Sequence, residues 1–132
     1  MANANKAKGD RAEAAVRDAV VAHFPRSWRT RAGWDDDRGD VILDLLGDRS
    51  RTYAIQVKDV ASPAWGEWIQ GLKGQILKGG HRGGVIWWKL RGKADPREWR
   101  VVMTGAQYLD LMDRVAVLES TLDGVNGEGQ VI

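Results

Sequence analysis

The chain contains no cysteine, two histidines, one phenylalanine and three prolines, and each shortage excludes something. Without thiols there is no disulfide framework, no thiolate zinc site and no cysteine nucleophile. His23 and His81 are too few for a histidine-rich metal centre. The longest apolar runs reach about six residues, against the ~20 that a bilayer-crossing helix needs, so no membrane span is expected. The opening MANANKAKGDRAEAA lacks the apolar segment of a secretory signal, which points to a cytoplasmic protein. A chain of 132 residues suits one domain covering 1–132, with residues 1–8 and 124–132 expected to be flexible.

Hydrophobic residues make up 43% of the chain and charged residues 29%, a balance that fits a globule with a core rather than a disordered chain. The net charge of +2 says little until it is divided along the sequence. Residues 1–60 are nearly neutral, 61–100 are basic and 101–132 are acidic. The basic middle, with Lys73, Lys78, Arg82, Lys89, Arg91, Lys93, Arg97 and Arg100, has the charge to neutralise phosphates, although a solvated surface explains it equally well. Seven tryptophans are a heavy load, most of it expected in packing and some of it available to stack on bases.

Periodicity predicts a helix from Asp10 to Phe24, where Ala12, Ala15, Val16, Ala19, Val20 and Phe24 recur at helical spacing and Pro25 stops the run. A short strand is expected over Ser27 to Arg31, then strands over 40–46 and 51–58 joined by Gly47-Asp48-Arg49-Ser50. Ser62-Pro63 reads as the start of a second helix that runs to Lys78, with Trp65, Trp68, Leu72 and Ile76 as its apolar stripe. Strands over 84–90 and 98–104 follow, and a last helix over Gly105 to Val115. The order helix, three strands, helix, two strands, helix predicts an α/β fold with a mixed central sheet flanked by helices.

Polar residues within the first long hairpin stand out. Strand alternation sets Asp40, Ile42 and Asp44 on one face of their strand, and Ala54, Gln56 and Lys58 on one face of the next. If Asp40 faces Gln56, a three-residue loop, Gly47 to Arg49, closes the hairpin. Asp40, Gln56 and Lys58 then gather at the end away from the turn. A carboxylate, an amide oxygen and the Val57 carbonyl are hard oxygen donors suited to Mg²⁺. A neighbouring lysine can orient water or stabilise charge on a phosphate. An Asp–Lys ion pair beside a hydrogen-bonded glutamine is the plainer alternative.

The run GDVILDL followed by AIQVK, behind a helix carrying KGDRAEAAV, resembles the PD-(D/E)XK nuclease superfamily over residues 8–90, and within it the archaeal-type and phage Holliday-junction resolvases. The resemblance implies a restriction-endonuclease-like αβββαβ core and Mg²⁺-dependent cleavage of branched DNA, with Mn²⁺ as a substitute. It matches Glu13 to the helix glutamate, Asp40 to the metal-binding aspartate, Gln56 to the second acidic position and Lys58 to the catalytic lysine. The implied metal set is Glu13, Asp40, Gln56 and the Val57 carbonyl. Lys73, Lys78, His81, Arg82, Lys89, Arg91 and Lys93 are the expected DNA contacts. Symmetric cutting of a four-way junction implies a homodimer.

Gln56 departs from the family pattern, which has Glu or Asp there, and resembles the Mrr-type restriction branch. An amide coordinates without bringing charge. Either Glu13 supplies the missing charge, or affinity is low, or catalysis is lost. A restriction-like or repair endonuclease on linear or flapped duplex, and a non-catalytic DNA-binding protein with the same fold, are therefore alternative readings.

Among other candidates, Asp35, Asp36 and Asp37 read as a solvated loop with a weaker claim to a second ion, and Asp44 as a surface or salt-bridging residue. Gln70 and Gln75 lie on the second helix, and the resemblance to nucleases that set a polar helix residue near the metal implies Gln75 or Lys73 as a contact to the scissile phosphate. The tryptophan stripe reads as core or dimer interface. Of the adjacent Trp87 and Trp88, one is expected in the core and the other at an interface or stacking surface. No Ser-His-Asp nucleophile motif is present, and GGHRGG lacks the Lys-Ser/Thr of a phosphate loop.

Overall fold

The computed structural model describes residues 2–30 and 39–125. Helix α1 spans Ala2–His23, followed by strands β1 (Trp28–Arg29), β2 (Val41–Asp44) and β3 (Thr52–Lys58). Helix α2 (Trp65–Gly79), strand β4 (Gly83–Trp88), a short 3₁₀ turn at Pro96–Glu98, strand β5 (Arg100–Val102) and helix α3 (Gly105–Val125) complete it. The five strands form one mixed sheet in the order β1-β2-β3-β4-β5. Only β3 and β4 run parallel, and α2 makes the crossover between them. The fold is α/β, and its first six elements follow the expected order of helix, three strands, helix, strand.

Each face of the sheet is covered by a helix. On one face α1 sets Ala12, Val16 and Val20, four residues apart, against Val41, Ile55, Val57 and Trp99. On the other, α2 sets Trp68 and Leu72 against Ala54 and Ile86, with Ile76 alongside. The second approach is close: a Cβ on Gly84 would lie 2.6 Å from the Ala54 carbonyl oxygen and 2.9 Å from Leu72. The double cover corrects the expectation for the paired tryptophans. Trp87 packs on the α1 side and Trp88 on the α2 side, so both join the interior. Their indole N–H groups donate to the carbonyls of Pro96 and Val60. Trp68, Leu72 and Ile76 of the stripe are core packing, whereas Trp65 is exposed at its edge, set edge-on to Trp68 and Trp88.

Several boundaries move. Helix α1 begins at Ala2 instead of Asp10 and runs through Gly9, with the alanines and lysines of residues 2–8 as its good helix formers. Helix α2 begins at Trp65 with Ala64 as its N-cap and no side-chain cap, so Ser62-Pro63 precede it. The tryptophan cluster, more than local capping, sets that start. Strand β5 is short because Asp95 accepts from the Arg97 N–H and draws Pro96–Glu98 into the 3₁₀ turn. Helix α3 continues ten residues past the expected Val115. No helix among the described residues is long and apolar enough to cross a membrane.

Candidate active site

From Val41 to Asp44 the hairpin register matches the expectation, but Asp40 does not face Gln56 as expected. Val41 faces Ile55, Ile42 faces Ala54 and Asp44 faces Thr52, and the Leu45 N–H extends the ladder to the Arg51 carbonyl. At Asp40 the ladder slips. Its N–H bonds the Ile55 carbonyl at 3.0 Å rather than Gln56, so two residues of this strand oppose one of β3, as in a bulge. Gly39, at φ +117°, turns the chain away just before it. The Asp40 carboxylate then takes the place that the departed strand leaves, accepting the Val57 N–H at 2.8 Å. In an antiparallel ladder the carbonyl of a residue points to the same side as its N–H, so the Val57 carbonyl faces the same gap.

Gln56 and Lys58 lie on the α2 face. The Gln56 amide runs beneath Gly71, where a Cβ would approach its Nε2 to 3.7 Å. Gln56 Oε1 is buried and has no hydrogen-bond partner among the described residues, although a buried acceptor normally finds one. The Lys58 ammonium stands 5.5 Å from the centre of the Trp68 ring. A cation over an aromatic face is held without losing its charge. The structure therefore brings Asp40 and Val57 together and sets Gln56 and Lys58 on the adjoining face of the same strand end.

Glu13 is placed differently. Its Oε2 accepts from Arg29 at 3.0 Å, and the same guanidinium nitrogen bonds Asp10 at 2.9 Å. Arg29 faces Val41 across the β1–β2 ladder, which sets this clamp beside Asp40 in the chain. The Glu13 charge is thus engaged by a strand residue that sequence reading passed over. Alternation of Trp28 and Arg29 was the available signal.

Asp44 is not a surface residue. It is 2% exposed, its carboxylate accepts from the N–H groups of Gly47 and Arg49 at 3.0 Å each, and its own N–H donates to Ser27. It organises the turn, where Gly47 and Arg49 both have positive φ.

Sequence reading also missed Asp59 and Lys8. The Asp59 side chain is 10% exposed, lies 3.5 Å from Lys8 Nζ and 3.7 Å from Lys89 Nζ, and its Oδ2 accepts no hydrogen bond from the described residues. A cavity of about 210 Å³ opens there between Lys8, Asp59, Lys89 and Arg91. A second, of about 390 Å³, extends from Lys8 and Asp59 to Val57 and Lys58.

The expected DNA-contacting bases divide into groups. Lys89, Arg91 and Lys93 follow β4 at the Lys58 end, since Lys58 faces Trp88. Lys78, His81 and Arg82 lie at the opposite end, and Lys73 is exposed on α2. Arg82 and Lys89 stand about 23 Å apart at the rise of a strand. His81 Nδ1 lies 2.8 Å from Thr52 Oγ1 with its ring over Gly79, which gives it a packing role at the end of α2. Gln75 is buried on α2, 3% exposed, instead of reaching toward a phosphate. Asp35, Asp36 and Asp37 lie outside the described residues.

Among the described residues no three His, Cys, Asp or Glu side chains converge on a metal-sized space. The donors that fit a hard cation are one carboxylate, one amide oxygen and one backbone carbonyl, a set suited to Mg²⁺ with several waters retained. The orphaned Gln56 Oε1 supports that fit, and only one of these three donors, the Asp40 carboxylate, brings a negative charge, which implies weak binding. In comparisons with known proteins, no family model, no curated protein and no solved structure matches the chain.

Proposed function

We propose that the open end of the β2–β3 hairpin is a divalent-cation-dependent phosphodiester hydrolysis site acting on DNA, with branched duplexes such as four-way junctions as the preferred substrate. The observation that carries the reading is the orphaned Gln56 acceptor, set on the strand end that presents Asp40, the Val57 carbonyl and the Lys58 ammonium. A bound Mg²⁺ or Mn²⁺ would polarise the phosphate and lower the pKa of a water. Asp40, Gln56 and the Val57 carbonyl would hold it. Lys58, positioned on Trp68, would orient the attacking water and offset charge developing on the phosphate. Lys8, Lys89 and Arg91, at the same end, would bind the flanking backbone, reading charge and shape rather than sequence. Glu13 would join only by leaving Arg29.

The test is incubation of a labelled four-way junction and of a linear duplex of the same sequence, with and without Mg²⁺ or Mn²⁺, with strand products read on denaturing gels. Cation-dependent nicks in the junction alone are expected. Equal cutting of both substrates would select a restriction-like or repair enzyme. The engaged Glu13 and the neutral Gln56 favour a second reading, a DNA-binding protein without catalysis. Absence of nicks, along with no calorimetric heat from either cation in the presence of DNA, would select it.

A further inference from the structure

Helix α3 is unlike the other two. Among the described residues it packs against no strand or helix to any substantial extent, and it is tied to the sheet at its first turn, where Gln107 Oε1 accepts the Gly84 N–H at 3.3 Å. Beyond that point the helix carries large apolar side chains into solvent: Tyr108 is 52% exposed, Val115 43%, Leu118 61% and Leu122 53%. In proteins most helical stability comes from packing an apolar face rather than from intrinsic propensity. Leu109, Met112 and Val117 are exposed as well, but five of the apolar positions are ordered along one line. Tyr108, Leu111, Val115, Leu118 and Leu122 are spaced 3, 4, 3 and 4 apart, the repeat that keeps one seam facing a partner helix of a coiled coil. Tyr108, Val115 and Leu122 take the a positions, and Leu111 and Leu118 the d positions.

The charges beside that seam identify the partner. Arg114 falls at a g position and Glu119 at the following e position, five residues on. In a parallel two-stranded coil, g of one helix meets the next e of its neighbour. Two copies of α3 laid in parallel therefore form two Arg114–Glu119 pairs across the seam, one on each flank. An antiparallel pair would bring like positions together, arginine near arginine. A β-branched Val115 at a, between leucines at both d positions, is also the combination that favours two strands. In the single chain Arg114 pairs with Asp110 on its own helix at 3.3 Å, an exposed contact that it can exchange at little cost.

We infer that α3 is a dimerisation helix whose partner is α3 of a second copy of this chain, in parallel register. The inference stands on the helix alone and does not require the nuclease reading. Five apolar side chains per helix make a small interface, so dissociation is expected in the region of about 1–100 µM.

Sedimentation velocity on the full chain over that range tests it. The wild type is expected to pass from monomer to dimer with rising concentration. Leu118→Lys should remain a monomer, while Val117→Lys, one residue away, 66% exposed and off the seam, should dimerise like the wild type. Arg114→Glu and Glu119→Arg should each weaken the dimer about tenfold, and combining them should restore it. A wild type that stays monomeric throughout, equal effects of the substitutions at 117 and 118, or a charge swap that restores nothing would overturn the inference. Circular dichroism of each variant checks that the body remains folded.

Discussion

The β2–β3 hairpin carries an aspartate at each end, Asp44 at the turn and Asp40 at the open end, and the two are used in opposite ways. At the turn the polar groups are closed on one another. The Asp44 carboxylate takes two backbone N–H groups, Ser27 takes a third, and Thr52 meets His81. At the open end Asp40 accepts from Val57, but Gln56 Oε1 accepts nothing and Lys58 rests on a tryptophan ring. The turn end is also the more buried of the two, with Ser27, Asp44 and Thr52 buried and Asp40, Gln56 and Lys58 only partly so. Saturation is the sharper difference: a polar group whose bonds are completed by its own loop serves the fold, whereas an enclosed acceptor atom left open costs stability and calls for another explanation.

Four experiments press on that contrast. The largest effect is expected from Asp40→Asn and Lys58→Met, which keep the Val57 contact and the stem over Trp68. Single-turnover junction cleavage should fall by at least about a hundredfold, with gel-shift affinity preserved. Cleavage at the wild-type rate would remove the open end from the chemistry. Asp44→Ala should lower stability by about 3 kcal/mol in urea unfolding, because a buried charge-assisted pair of bonds is lost, and should leave the cleavage rate per folded molecule unchanged. Gln56→Leu should act with the opposite sign, raising stability by about 1 kcal/mol as the orphan acceptor disappears. In the same variant the Mg²⁺ concentration needed for cleavage should rise. If stability falls instead, the glutamine is a structural residue and the contrast fails.

The smallest effect concerns two exposed turns. The side chain and backbone of Ser50 hold the Asp48 carboxyl below its ordinary 3.8, and Arg97 does the same for Asp95. Both folded values are depressed, so these contributions are complete above that ordinary value and disappear as pH falls through the folded ones. Comparing unfolding midpoints of the wild type and Asp48→Asn should therefore show a small difference near neutrality that vanishes in strong acid. A difference that grows on acidification would reverse the assignment.

Much of this hairpin was legible in the sequence. Alternation in VILD and TYAIQVK fixed the register, because a slip of one residue would have moved Val41 and Ile55 out of the α1 core. The role of Asp44 was not legible, since a strand-end aspartate looks the same whether it meets water or a turn. The engagement of Glu13 by Arg29 and the enclosure of Asp59 by Lys8 and Lys89 join segments far apart in the chain, and no local pattern announces such pairs. Helix α3 extends past the Val115 end expected from the sequence to Val125, and its seam continues through Leu118 and Leu122.

The strand order has a kinetic side. Because β1 through β5 lie side by side in the order in which they are made, every antiparallel pairing joins consecutive strands, and only the β3–β4 pairing must wait for an intervening helix. Such a topology has few distant closures to complete before its contacts begin to reward them. The expected rate-limiting event in refolding is the arrival of β4 alongside β3 with α2 laid across Gly84, and substitutions there should slow folding more than those at the outer strands.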